Sequence, residues 1–241
     1  MLNYRTSASE LKSIADVLKD VLAECWFVFY PTYITMNNVD PEKVIAVNLR
    51  LNPDPLVYQC SEKVVFPFYI QTLYRVLRGV KKTDLAILQM YPENGKALDI
   101  IVLTDAGVMK NKITIQPLQD TLPSFIRHPQ KYSVEVKIET HQFYRILHDL
   151  SALSRKVNIK IDRDEISFIS QDDSGTKSIF TQGFPELNYQ FDGTYLIKYL
   201  EKFCKPNLAP EIKIRVERNT PLSVVYHLER GSLEMSIAQS A

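Results

Sequence analysis

Apolar residues in this chain follow two periods, one near 3.6 residues and one near two, and the changes between them mark out elements. Leu11, Ile14, Leu18, Val21 and Leu22 recur at helical spacing behind Ser7 and Glu10, a Ser-x-x-Glu arrangement that satisfies free amide donors at a helix start. Alternating or continuous apolar runs at 26–30, 34–36, 44–51 and 56–60 predict strands, with Pro31-Thr32 and Asn52-Pro53-Asp54 as turns. A second helical pattern covers 70–80. Strands resume at 85–91, 98–104 and 109–115, joined by Glu93-Asn94-Gly95 and Asp105-Ala106-Gly107. Pro117, Pro123 and Pro129 then remove ladder donors and predict an extended connector.

Beyond the connector the pattern returns. A shift of 132 residues, from Leu11 to Phe143, also places Ile14 on Ile146, Leu18 on Leu150 and Val21 on Leu153. The same shift carries Phe27 to Ile159, Phe29 to Ile161, Ile34 to Ile166, Met36 to Phe168 and Asp40 to Asp172. In the second helix of each half a shift of 123 pairs Leu73 with Leu196, Arg75 with Lys198 and Leu77 with Leu200. In the last hairpin a shift of 124 pairs Asp105 with Glu229 and Gly107 with Gly231. Element order, turn position and buried face agree together, which favours duplication over a chance match of apolar patterns. The expected organisation is a domain at 1–116, a connector at 117–129 and a second domain at 130–241, each mixing strands with two helices.

Composition adds a constraint. The 241 residues are 45% hydrophobic and 24% charged, enough for one large core or two small ones. Twenty-nine Lys and Arg against 28 Asp and Glu leave a net charge of +1, so any polyanion footprint must come from where the charges sit. They sit on the helices. The first carries Lys12 and Lys19, the second Arg75, Arg78, Lys81 and Lys82, the third Arg145, His148, Arg155 and Lys156, the fourth Lys198, Lys202 and Lys205. Asp16, Asp20, Asp149 and Glu201 dilute them. One such helix is an ordinary solvated face; four built by duplication can form a surface that binds phosphates without reading bases.

The order of several short segments resembles the sliding clamps related to proliferating cell nuclear antigen, over nearly the whole chain. Leu11-Lys12, the run Val17-Leu18-Lys19-Asp20-Val21-Leu22 and Glu24-Cys25-Trp26 are similar to that family's first helix and strand. The similarity continues at Gln142-Phe143, Arg145-Ile146-Leu147, Asp149-Leu150-Ser151, and Tyr199-Leu200 with Lys205. It ends with Thr220-Pro221-Leu222-Ser223-Val224-Val225-Tyr226 and Ser236-Ile237-Ala238. The resemblance implies an α+β DNA-clamp fold, in which two duplicated domains have antiparallel sheets outside and helices lining a central hole. It implies a homotrimeric ring around duplex DNA that gives polymerases processivity and is opened by a clamp loader. Ring closure would join an edge strand carrying Met109, Lys110, Lys112, Ile113 and Ile115 to one carrying Ser178, Ile179, Phe180 and Gln182. Polymerase and other clients would insert a short peptide among Val39, Asp40, Lys43, Ala46, Phe125, Ile126, Pro221, Ser236, Ile237 and Ala238. The implied location is intracellular, at sites of DNA replication in a nucleus or a viral replication compartment.

The chain departs from the family pattern at Gln239, where proline is usual, at Arg163 in the turn that carries a modifiable lysine in cellular members, and at Ala152, a basic position elsewhere. These point to a divergent member, of cellular or viral origin, with its own client preference. The same fold leaves open a monomeric processivity factor, a subunit of a mixed checkpoint-type ring or a viral transcription scaffold. Enzyme chemistry finds little footing. The seven glycines form no phosphate-cradling loop and no nucleophile elbow, and the four histidines have no ligand spacing. Asp162, Asp164 and Glu165, or Asp172 and Asp173, offer oxygen ligands to a metal-dependent nuclease, but lie at turns where acidic residues are common. Neither a cofactor nor a metal is expected. Cys25, Cys60 and Cys204, odd in number and far apart, suit reduced thiols. No apolar run approaches the roughly 20 residues of a membrane span.

Overall fold

The computed structural model describes residues 1–91, 97–114, 132, 134–162, 165–182, 190–217 and 220–240. The Glu93-Asn94-Gly95 turn, Ile115, Phe125, Ile126, Arg163 and Asp164 lie outside these residues, as do the side chains of Lys112 and Gln182. Two compact units divide the chain. In their described residues the first takes in Met1–Asp40, Asn48–Phe125 and Glu229–Gly231, the second Pro41–Val47, Ile126–Leu228 and Ser232–Ala241.

In the first unit the elements are β1 (Leu2–Ser7), α1 (Ala8–Leu18), β2 (Glu24–Phe29), β3 (Ile34–Val39), β4 (Ile45–Leu51), β5 (Tyr58–Cys60), β6 (Val64–Tyr69), α2 (Ile70–Val76), β7 (Leu85–Met90), β8 (Ala97–Thr104) and β9 (Gly107–Thr114). One set of strands runs β5-β1-β7-β8-β9 and a second β4-β3-β2-β6. The polar stretch from Asn3 to Lys12 overlaps β1, which starts one residue earlier: Leu2 and Tyr4 alternate inward at 0% and 7% exposure while the strand pairs β5 on one side and β7 on the other. Two inward residues are too few to register as a period. Ser7 ends β1 and caps α1, its hydroxyl accepting the Glu10 amide at 3.4 Å, as the Ser-x-x-Glu spacing predicts.

In the second unit β10 (Val134–Glu139) feeds α3 (Thr140–Ser151), followed by β11 (Lys156–Ile161), β12 (Glu165–Asp172), β13 (Gly175–Gln182) and β14 (Phe191–Leu196). Then come α4 (Ile197–Lys202), β15 (Glu211–Val216), β16 (Leu222–Leu228) and β17 (Gly231–Ile237). Its strands form the sets β13-β12-β11-β14 and β10-β15-β16-β17. The 132-residue shift reappears in the elements, Ala8 answering to Thr140 and Glu24 to Lys156 at the starts of α1, α3, β2 and β11. For the second helices the register differs from the sequence expectation. Ile70 answers to Ile197 and Leu73 to Leu200, a shift of 127 in place of 123, and Leu196 is the last residue of β14. The difference is four residues, about one helical turn, which leaves an apolar stripe almost unchanged and so escapes periodicity. The strand that feeds each helix settles it.

Each helix starts where a strand ends, four times over: β1 into α1, β6 into α2, β10 into α3 and β14 into α4. The buried stripe of α1 is Leu11, Ile14, Ala15 and Leu18, and that of α3 is Phe143, Ile146, Leu147 and Leu150. In the first unit Phe27, Phe66 and Phe68 make a ring cluster with centroids 5.1 and 4.7 Å apart; in the second Phe143 meets Phe168 at 5.9 Å. Among the described residues no helix is long and apolar enough to cross a membrane.

Gly231 closes the last hairpin against the backbone: a Cβ there would lie 2.0 Å from the Arg50 carbonyl oxygen and 2.9 Å from Leu51 Cα. Backbone cannot rotate away as a side chain does. Gly231→Ala is expected to cost about 1–3 kcal/mol in urea unfolding, the range of an overpacked site. Gly175→Ala, with nothing within 4 Å of the added carbon, should change little and serves as the control.

Candidate nucleic-acid and partner interfaces

Because each helix lays its apolar stripe on a sheet, the residues opposite that stripe face outward, and the cations can be placed one by one. On α1 the picture is mixed. Lys12 Nζ donates to the Arg78 carbonyl at 2.8 Å. Lys19, at the C-cap, is bound by Asp16 at 2.8 Å and Asp20 at 3.2 Å and lies 4.8 Å from the Tyr74 ring centre. Burial opposes its charge, but the two carboxylates outweigh it and hold its pKa above the ordinary value. Opposite the buried stripe stand Ser9, Ser13, Asp16 and Asp20 at helical spacing, so the outermost line of α1 is not basic. Arg75 is exposed on α2, and Arg78, Lys81 and Lys82 are exposed just beyond it, in a turn where Asp84 accepts the Lys81 amide at 2.7 Å.

In the second unit Arg145 and His148 are exposed on α3, opposite its buried stripe. Arg155 lies in the turn after the helix. Lys156 corrects the sequence reading that put it on the third helix. It opens β11 and shares a sheet face with Asn158 and Lys160, while Val157, Ile159 and Ile161 take the other face and are buried at 0–1% exposure. With Ile169, Gln171, Asp192 and Thr194, the outward residues line a polar groove of about 370 Å³ on the side of the sheet away from that buried face. A strand alternates every residue, so Lys156 cannot follow Arg155 onto the helix side.

Lys198 and Lys202 lie on α4, and Lys205 follows it. The Tyr226 hydroxyl donates to the Phe203 carbonyl and accepts the Lys205 amide at 2.8 Å, fixing the chain as it leaves the helix. A second groove, of about 500 Å³, joins residues that are apart in sequence: Ser151 at the end of α3 with Ser154 and Arg155 after it, and Leu196 at the end of β14 with Ile197, Lys198 and Glu201 of α4. Two cations from different elements therefore share one rim. The ammonium groups of Lys198 and Lys202 stand 4.4 and 5.4 Å from the ring centre of Tyr199, whose hydroxyl donates to Glu42. Sequence reasoning missed Tyr199 and Glu42 as a pair because 157 residues separate them.

The residues expected to receive a client peptide differ in access. Lys43, Pro221 and Ala238 are exposed and Val39 is half-buried, whereas Asp40, Ala46, Ser236 and Ile237 lie at 5%, 6%, 3% and 0% exposure. Lys43 has a φ of 57°, a tight bend for a residue with a side chain, and the Ala238 amide donates to Val44 O at 3.1 Å, tying this bend to the last strand. Ser236 shares a hydrogen bond of 2.6 Å with Ser223, which meets the Tyr132 hydroxyl at 3.2 Å, and Tyr132 donates to Glu234 at 2.6 Å. Burial and the Glu234 carboxylate push the Tyr132 pKa up. Tyr132 was not singled out from the sequence; an aromatic three residues beyond Pro129 of the connector was its signal.

The two strands expected at a subunit contact are the terminal strands of their sets, β9 in the first unit and β13 in the second. Met109 is 42% exposed and Lys110 exposed on β9; Ser178 is exposed and Phe180 is 60% exposed on β13, with Ile113 and Ile179 half-buried. Val108, beside Met109 on the same strand, is 59% exposed. Among the described residues no group of three His, Cys, Asp or Glu is placed to hold a metal. Asp172 instead ties its turn, accepting from the Ser174 hydroxyl at 2.6 Å, the Ser174 amide at 2.8 Å and the Gly175 amide at 3.1 Å, which lowers its pKa.

The Glu42 carboxyl is held below its ordinary value of 4.5, first by the Tyr199 hydroxyl and then by Lys198 and Lys202. Its contribution to stability is therefore present above the ordinary carboxylate range and is lost as pH falls through the lowered value. In Tyr199→Phe the hydroxyl is gone, and the Glu42 carboxyl titration followed by NMR is expected to move up towards that of an ordinary glutamate.

Comparison with known proteins follows the same two halves. The family model of the proliferating cell nuclear antigen N-terminal domain matches residues 1–117, and that of its C-terminal domain residues 127–240. The proliferating cell nuclear antigen of Chaetomium thermophilum is 27% identical over 241 aligned residues, 93% of this chain and 92% of that protein. That of Saccharomyces cerevisiae is 26% identical, covering 96% and 94%. A probable DNA polymerase sliding clamp of Paramecium bursaria Chlorella virus 1 is 25% identical, covering 95% and 92%. The two family models meet the chain in the order its duplication requires and leave little of it unmatched, and the chain belongs to the proliferating cell nuclear antigen family of sliding clamps.

Proposed function

We propose that the chain acts as a DNA sliding clamp and polymerase processivity factor: copies of it close a homotrimeric ring around duplex DNA, and short peptides of replication and repair proteins dock on it. The observation that carries this reading is the pairing of cations with helices in both units. Arg75 and Arg78 follow the buried stripe of α2 as Lys202 and Lys205 follow that of α4, at the same 127-residue shift. Long flexible cations on rigid helices meet phosphates at any register and read no base edge. Such a surface holds DNA and lets it move. A clamp loader opens the ring, and polymerase and other clients engage Lys43, Pro221 and Ala238 together with Phe125 and Ile126 of the connector. No catalytic step is assigned to the chain, and its place of action is the site of DNA replication.

Replacing Arg75, Arg78, Lys198 and Lys202 with alanine is expected to weaken binding to unrelated duplex sequences alike and to flatten the dependence of log K on log salt by about 0.9 for each phosphate no longer neutralised. A loss confined to one sequence would overturn the reading of these faces. Measured with and without a clamp loader, stimulation of a cognate polymerase on long primed templates should disappear in the same variant.

Ring closure is the second element of the proposal. β9 and β13 end their strand sets and expose Val108, Met109 and Phe180 beside unpaired backbone, the combination that pairs edge to edge with a neighbouring copy. Light scattering at micromolar concentration should give the mass of three chains. Phe180→Glu places a charge at the joint and is expected to yield monomers with an unchanged circular dichroism spectrum; a monomeric wild type would favour the monomeric processivity factor.

A further inference from the structure

The outermost line of α3 is unlike those of the other helices. At helical spacing opposite Phe143, Ile146, Leu147 and Leu150 stand His141, Arg145 and His148, all exposed. Two of the chain's four histidines thus share one stripe with a single permanent cation. The ring of His148 lies parallel to that of Tyr144, with 5.9 Å between centres and 13° between planes, and Tyr144 is 40% exposed. The stack fixes the plane of the His148 imidazole on the exposed side of α3.

We propose that this stripe is a proton-dependent phosphate contact, in which His141 and His148 bind the DNA backbone as imidazolium and Tyr144 positions His148. The proposal rests on the reading of the helix faces as DNA-binding. Imidazole is the side chain whose charge responds to pH near neutrality, whereas the arginine and lysine cations on α2 and α4 do not. The charged groups of the elements around it nearly balance. Arg145 and Asp149 are on α3 itself, Arg155 follows it, and Lys198, Glu201 and Lys202 are on α4. Glu139 ends β10, Asp172 ends β12, and Lys177 of β13 donates to the Asp149 carbonyl at 3.1 Å, while Lys156 and Glu165 take the opposite face of the sheet. Five cations stand near four carboxylates, and the two imidazoles decide how positive the region is. A phosphate arriving at the stripe favours their protonation, so DNA binding takes up protons and weakens as pH rises.

The test uses the full chain and fluorescent duplexes of two unrelated sequences, with affinity measured against salt at about pH 6 and about pH 8. The expected wild-type slope is steeper at about pH 6, by about 0.9 for each histidine that gains a phosphate. The double variant His141→Gln with His148→Gln should keep the shallow slope at both pH values, and His148→Arg should hold its contact at both. Tyr144→Phe should behave as wild type, and Tyr144→Ala should shrink the pH difference. A wild-type slope that ignores pH, or a double variant that retains the difference, overturns the assignment. Arg145→Ala separates the two ideas: if it flattens the slope at both pH values while the wild type ignores pH, the histidine contact falls and the DNA face stands.

Discussion

Everything functional in this chain depends on the burial of one apolar stripe of each helix against one face of a sheet. With 3.6 residues per turn, burying Phe143, Ile146, Leu147 and Leu150 forces His141, Arg145 and His148 outward, and the same rule orders α2 and α4. The strand that runs directly into each helix removes the freedom a loop would give. A residue at a junction therefore has its side assigned by whichever period it belongs to. Arg155 is the last residue of the turn after α3 and Lys156 the first of β11, and the alternation of the strand sends Lys156 to the far side of its sheet.

The sheets impose a second constraint. An antiparallel set that is not closed on itself has two terminal strands with unpaired groups, and such edges are either blunted or used. β9 and β13 are long for edges, eight residues each, and carry Val108, Met109 and Phe180 in the open. Blunting would have favoured charge or proline at these positions. Under the proposed ring closure both edges would gain ladder hydrogen bonds from neighbouring copies, and their apolar side chains would be covered.

Charge is distributed by unit and by helix instead of in bulk. The outermost line of α1 is Ser9, Ser13, Asp16 and Asp20, and its Lys19 is spent on its own carboxylates; α2 and α4 carry permanent cations; α3 carries one arginine between two histidines. A net charge of +1 leaves room for a locally basic surface because this pattern separates the signs. Glu42 places a carboxylate close to the two lysines that flank Tyr199.

Legible in the sequence alone are the duplication, α1 and α3 with their buried stripes, the Ser7 cap, most of the strands and the cations that crowd the helices. These are local properties, written in periods of two and 3.6 residues and in short spacings. Tertiary structure settles what those periods leave degenerate. A slip of one helical turn preserves a stripe, so only β6 and β14, which feed α2 and α4, could set the 127-residue register. Two inward residues make no visible period, so β1 emerged only through its partners β5 and β7. The side on which Lys156 stands, the meeting of Tyr199 with Glu42 and the grouping of Tyr132 with Ser223 and Glu234 come from pairings between residues far apart in the chain. No local pattern encodes such a contact, because its partners are chosen by the packing of whole elements.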